Sequence, residues 1–266
     1  MNRSGLWKKV RQRIKVLTPS EVRRELRVRA KALGGTPAGP FADISNNNDV
    51  PVGALAEYAK NHDLIVVKAT EGRTWTDPEL ARYVREAKAA GLIVAPYHFA
   101  RPDNNNAVDE ARHFVQTCRA AGLRLGPRRT LWYERDELPG ILDYEVAHPR
   151  GADAGWINGF MREYRRLTKH GVAKWKGSED PVTSNCLLYG GSIVREKVSN
   201  KIGALYWLAA YTTTPAPYWP SGLAKKHRLA WQFTDKGRFR AFGPHNTDRN
   251  VFVGQLKLRD ILGLAI

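Results

Sequence analysis

LIVVKATEGRTWTDPELARYVREAKAAGLIVAPYHFA, residues 64–100, holds one strand–helix–strand unit. Leu64–Ala69 is a short apolar run rich in β-branched residues, the pattern of a strand buried on both faces. Asp77–Ala90 has helical periodicity, with Asp77-Pro78 as cap and first turn and Gly91 as the stop. Leu92–Ala100 returns to strand. Two strands joined by a crossover helix pair in parallel, with a right-handed connection.

The alternation extends in both directions. Phe41–Ser45 reads as a strand and Val52–Asn61 as a helix. Ala107–Ala121 reads as a helix ending at Gly122, Ile141–Val146 as a strand, and Ala154–Lys169 as a helix ending near Gly171. Asn185–Tyr189, Ala204–Tyr211, Leu229–Phe233 and Val251–Val253 follow as strands with shorter links. The order predicts an α/β fold, an irregular (β/α) barrel with its site at the carboxyl ends of the strands. At 266 residues and 42% hydrophobic content, one barrel-sized domain has enough apolar material for a core.

Charge divides the chain. Residues 1–31 hold eleven Lys and Arg against two acids, net +9 of the total +17. Leu6, Val10, Ile14 and Leu17 recur at helical spacing, so residues 1–35 read as a basic helical arm and linker. Gly34-Gly35-Thr36-Pro37-Ala38-Gly39-Pro40 marks the boundary, and residues 36–266 form the barrel domain. Such an arm suits a polyanion: an anionic wall polymer, a membrane surface or nucleic acid. No stretch approaches the roughly 18 apolar residues of a membrane span. No apolar segment follows the basic N-terminus, so a secretory signal is not expected. Cys118 and Cys186 are expected as buried free thiols.

The chemistry sits in scattered acids. Ile141-Leu142-Asp143-Tyr144-Glu145 carries two carboxylates two residues apart, which share a face if the run is a strand. Asp43 falls in the first strand, and Asp248 in a polar turn just before the last. First and last strands are neighbours in a barrel, so the two are expected to meet. Tyr97, Phe99, Tyr189, Trp207, Tyr211 and Trp231 lie in the same strands and exits. An acid-lined, aromatic-walled cleft fits a sugar, because aromatic faces stack on pyranose rings and carboxylates cleave glycosidic bonds. The seven histidines form no close pair and no Cys/His set has zinc spacing, so no metal or other cofactor is expected. No Gly-x-Ser-x-Gly and no phosphate-cradling glycine loop is present.

These segments resemble a known family in order. Asp43-Ile44-Ser45, Val67-Lys68-Ala69-Thr70-Glu71-Gly72, Pro96-Tyr97-His98-Phe99 and Leu142-Asp143-Tyr144-Glu145 match its first four strand motifs. Glu110-Ala111 with Phe114 resembles a helix of that family. Trp207–Tyr211, Trp231-Gln232-Phe233 and Asp248-Arg249-Asn250-Val251-Phe252 match its last three strands. Over about residues 41–255 the chain is similar to the glycoside hydrolase family 25 muramidases. The resemblance implies five βα units followed by three further strands. It implies cleavage of the β-1,4 bond between N-acetylmuramic acid and N-acetylglucosamine in peptidoglycan, by a monomer of the phage endolysin type. Such a protein would stay in the host cytoplasm until lysis. Glu145 would be the general acid, with its pKa raised by Asp43 and Asp248. Asp143 would stay ionised, either attacking directly or steering the substrate's acetamido group, with a substrate-assisted retaining route expected. Lys68, Glu71, Tyr97, Phe99, Tyr189, Trp207, Tyr211, Trp231 and Gln232 would bind the glycan. Two features depart from the family: Asn46-Asn47-Asn48 stands where an aromatic is usual, and Arg124–Glu137 is longer and more charged. The competing reading is a non-catalytic, glycan-binding or virion-associated barrel.

Overall fold

The computed structural model describes residues 40–125, 137–168, 186–198, 204–211, 219, 223 and 227–253. The basic arm, the boundary at residue 35 and most of the 124–137 stretch lie outside the described residues.

Nine strands are present among the described residues: β1 (Phe41–Ile44), β2 (Leu64–Glu71), β3 (Trp75–Thr76), β4 (Ile93–Phe99), β5 (Ile141–Asp143), β6 (Leu187–Gly190), β7 (Tyr206–Ala209), β8 (Arg228–Gly237) and β9 (Thr247–Phe252). β3 folds back on the end of β2 as a short antiparallel hairpin. The others close a barrel in the order β1-β9-β8-β7-β6-β5-β4-β2, sealed by β1 against β2. Every barrel pairing is parallel except the two made by β9, which runs against β8 and β1. Helices α1 (Ala54–Tyr58), α2 (Leu80–Ala90), α3 (Ala107–Ala120) and α4 (Asp153–Thr168), with a π-helical turn at Val194–Val198, follow the first five barrel strands. The fold is thus the expected irregular barrel of five βα units and three further strands.

Strand periodicity sorts the apolar residues into two cores. Phe41, Leu64, Val66, Ile93, Ala95, Ile141, Leu187 and Leu229 fill the barrel interior. Their neighbours Ala42, Ile65, Val67, Val94, Leu142 and Leu188 face outward, against Tyr83, Phe114, Phe160 and Tyr164 of the helices. Both columns are buried, which is why the strands read as near-continuous apolar runs. Cys118 and Cys186 are buried free thiols, as expected. No helix among the described residues is long and apolar enough to cross a membrane.

Local signals set the boundaries. The Asp77 carboxylate accepts from the Glu79 backbone N–H at 2.8 Å, just ahead of α2, and Gly91 ends that helix at φ +84°. Several boundaries differ from expectation; β7 is shorter, at Tyr206–Ala209, and β8 runs on to Gly237. α1 is shorter than Val52–Asn61, because Gly53 before it takes φ +80°. β5 stops at Asp143 rather than running to Val146. Beyond it, Asp153 takes hydrogen bonds from the Tyr144 hydroxyl and the His148 N–H, bending the chain toward α4. β9 begins at Thr247, so Asp248 is a strand residue, held in ladder register, and not part of a preceding turn.

Gly140 lets the helical layer approach the start of β5. A Cβ there would lie 2.6 Å from Phe114 Cε1 and 2.9 Å from Tyr164 Cε2, and neither ring has room to retreat. Gly140→Ala is therefore expected to cost about 1–3 kcal/mol of stability. Chemical denaturation checks this; an unchanged midpoint would show that the rings have space the packing denies them.

Candidate active site

The interior column turns polar one step above its apolar layer. Two residues beyond Phe41 stands Asp43, beyond Val66 Lys68, beyond Ala95 Tyr97, and beyond Ile141 Asp143. In the same way Tyr189 follows Leu187 and Trp207 follows Leu205. Alternation thus delivers these side chains to the carboxyl end of the parallel strands. Asp43, Tyr97, Ile141, Asp143, Tyr189 and Trp207 line one cavity.

One wall is the seam between β1 and β9. Asp43 and Asp248 are direct cross-strand partners, and their carboxyls lie within hydrogen-bond reach of each other. Two like charges so placed repel, so the pair retains a proton. Burial is the main cause of the raised pKa at both, and the Asp43 charge adds to it at Asp248. Amides hold the ionised partner: Asn250 Nδ2 donates to Asp43 Oδ2 at 2.6 Å and Gln232 Nε2 at 3.3 Å. Gln232 in turn accepts from the hydroxyls of Tyr189 and Tyr211, each at 2.7 Å. Asn250 accepts from Trp207 Nε1 at 3.1 Å, which fixes the indole across the cavity.

The opposite wall carries the Asp-x-Glu pair. Asp143 lies in register with Phe99 of β4 and Tyr189 of β6. Its Oδ1 is buried and has no hydrogen-bond partner among the described residues. An acceptor stripped of water and left unpaired costs free energy, which is recovered when a ligand fills the site. Burial holds the Asp143 pKa well above the usual carboxylate range, and the charges of Glu145 and Asp43 reinforce this. Glu145 lies past the end of β5, exposed to solvent on one side and crowded by protein on the other. That crowding raises its pKa, and the charge of Asp43 raises it further. The unliganded site therefore differs from expectation: Asp143, expected to stay ionised, holds its proton more strongly than a free carboxylate because it is the deeper group.

The other expected residues divide. Lys68 is buried, pairs with Glu71 at 2.8 Å, and lies 4.9 Å from the Trp75 ring centre and 5.0 Å from that of Phe99. Tyr211 stands exposed at the rim. Trp231 does not line the cavity. It sits in register with outward-facing Leu208, and its indole N–H donates to the Ala210 carbonyl at 2.7 Å. His98 faces away from the acids, bonded to Thr70 Oγ1 at 2.8 Å and Glu110 Oε2 at 2.7 Å. Burial lowers its pKa, so it serves as a neutral strut between β4 and α3. Sequence reasoning missed Asn250 as a site residue. Its position two residues after Asp248 in an alternating strand was the available signal.

Comparison with known proteins fits this geometry. The model of glycosyl hydrolases family 25 matches residues 43–242. The chain belongs to that family. Lysozyme M1 of Streptomyces globisporus is 27% identical over 197 residues, covering 71% of this chain and 59% of that protein. The chain thus spans about three fifths of that relative's length. The solved bacterial lysozyme of Streptomyces coelicolor superposes with a TM-score of 0.63 at 25% identity, over 86% of this chain and 98% of that one. The catalytic domain of endolysin ply40, from Listeria monocytogenes bacteriophage P40, shares the fold at a TM-score of 0.63. Its identity is 18%, with 86% of this chain and 98% of that chain covered.

The seam of this family 25 barrel has a measurable consequence. Asp248 is pushed up from 3.8 to about 9, so from about pH 4 to pH 9 the folded state binds more protons than the unfolded one. Stability is therefore lost as pH rises through that window. Asp248→Asn removes the repulsion and its share of the slope. Thermal unfolding should show the variant more stable than the parent at pH 8, with the gap closing toward pH 4. A constant gap across this range would rule out the shared-proton seam.

Proposed function

We propose that this protein is an N-acetylmuramidase, cleaving the β-1,4 bond between N-acetylmuramic acid and N-acetylglucosamine in peptidoglycan. The observation that carries the reading is the unequal pair on one wall: buried, unpartnered Asp143, and Glu145 at the solvent rim. Glu145 sits where a leaving group meets water, and its raised pKa favours the protonated form that a general acid needs. It protonates the glycosidic oxygen. Asp143 faces the sugar from below, and positive charge developing on the ring favours its ionised form just when that charge needs stabilising. With both acids on one strand and its exit, they address the same side of the bond. This supports a retaining route in which Asp143 steers the substrate's own acetamido group. Asp43 and Asp248 hold that group from the opposite wall, and Tyr97, Tyr189 and Trp207 supply the stacking surface.

The test is product analysis on purified peptidoglycan. A muramidase leaves muramic acid at each new reducing end, seen by mass spectrometry. Glu145→Gln is expected to lower the rate by about 10²–10⁴-fold. A parent chain that releases no reducing ends, or releases N-acetylglucosamine ends, would overturn the reading.

The proposal extends to a phage endolysin setting, with a monomer held in the host cytoplasm until lysis and acting on the wall afterwards. Its support is the net +9 of residues 1–31, which suits a tether to anionic wall polymer or membrane phosphate. Screening at high salt weakens such a tether. Lysis of purified walls should fall with salt for the full chain and much less for a chain starting at Thr36. Equal salt sensitivity would remove the tether.

A further inference from the structure

A second pocket opens beside the catalytic cavity. It has a volume of about 290 Å³ and lies between the β2–β3 hairpin and the loop after β4. Glu71, Arg73 and Trp75 line one side; Arg101, Asn104 and Asn105 line the other. Both sides are braced. Gly72, at φ +56°, donates its N–H to the Phe99 carbonyl at 3.1 Å, and a Cβ there would lie 3.1 Å from Asn105 Nδ2. His113 of α3 bonds the Trp75 carbonyl at 2.9 Å, and Trp156 of α4 donates to the Asn105 carbonyl at 2.9 Å. Arg101 Nη1 reaches Glu71 across the pocket at 3.3 Å, and Nη2 reaches Asp103 at 3.1 Å. Arg73 is exposed and makes no ion pair with the described residues. Trp75 leaves 39% of its surface open to solvent.

We propose that this pocket is a subsite for the peptide stem carried by the glycan strand, which rests on the muramidase reading. The chemistry of the lining selects the class of ligand. A muramic acid stripped of its stem keeps only the lactyl carboxylate on its own ring, which does not span the two strands to Arg73, and a polyphosphate has no N–H donor for the carboxamide oxygens of Asn104 and Asn105. A stem peptide presents carboxylates to Arg73 and backbone amides to Asn104 and Asn105. The geometry agrees. Glu71 is the register partner of Phe99, and Phe99 of Asp143. Two strand spacings of about 4.8 Å separate Glu71 from Asp143, and an extended peptide covers that distance in about three residues. A stem leaving a muramic acid in the catalytic cavity therefore reaches the pocket.

The test uses the full chain and two substrates: peptidoglycan with its stems, and the same glycan after an amidase has removed them. The parent should cleave the stem-bearing form with the higher kcat/KM. Arg73→Ala should lower kcat/KM on stem-bearing strands about tenfold, the scale of one charge-assisted contact, and leave stem-free strands unaffected. A loss of equal size on both substrates, or on neither, overturns the subsite while leaving the muramidase reading intact. Calorimetric titration with the amidase-released stem peptide reads the pocket without catalysis. Saturable binding that Arg73→Ala abolishes supports the proposal, even if neither glycan is cleaved and the muramidase reading falls. No saturable binding, or binding of a wall polyphosphate in its place, overturns it.

Discussion

The direction of β9 is the constraint on which the site depends. In a barrel of parallel strands, the carboxyl ends form one rim and the amino ends the other. Asp43 is the third residue of β1 and sits at the carboxyl rim, whereas Asp248 is the second residue of β9. The two meet only because β9 runs antiparallel, which brings its beginning to the rim where β1 ends. The same reversal carries Asn250 into the wall, where it ties Asp43 to Trp207. Closure of the barrel and assembly of the acid cluster are thus one event.

That assembly opposes folding. Asp43, Asp143, Glu145 and Asp248 all have raised pKa values, and burial leads the causes at each. The amides of Asn250 and Gln232 offset part of the cost at Asp43. Lys68 lowers the pKa of Asp143, but it acts against burial and three like charges. The apolar column one layer below and the helical layer outside must therefore supply the stability that the rim gives up. A ligand bearing positive charge reverses the sign of the local electrostatics, so the free site is arranged for an occupant rather than for itself.

Much of this was legible in the sequence because period and punctuation are local. Leu64–Ala69 and Leu92–Ala100 could be read from their β-branched runs, and Asp77 and Gly91 bounded the helix between them. The meeting of Asp43 and Asp248 followed from chain order and barrel closure. What escaped depends on lateral register and depth, which one strand does not encode. The end of β5 at Asp143 is set by Asp153, ten residues on, and it separates a buried acid from a rim acid that looked equivalent. Trp231 looked like part of the sugar wall, yet its register with Leu208 turns it out of the cavity. Gly140 precedes β5 with no local signal that its neighbours are rings from two helices.

The Asn46–Asn48 loop spans the rim at the seam. An aromatic there would offer a face to a sugar, and three asparagines offer none. They brace instead. The Asn46 N–H donates to Asp77 Oδ2 at 2.9 Å, and Asn48 Nδ2 donates to the Asn246 carbonyl at 3.3 Å. The loop therefore joins the segment after β3 to the turn before β9, across the seam. Asp77 lies two residues beyond Trp75, so the bond that steadies the loop also steadies the hairpin bearing that exposed ring. Trp75 and Tyr211, the open aromatic faces among the described residues, stand on fixed supports on either side of the acids. Trp75 is thereby an open ring on a braced hairpin, beside the pocket that Arg73 and Arg101 line.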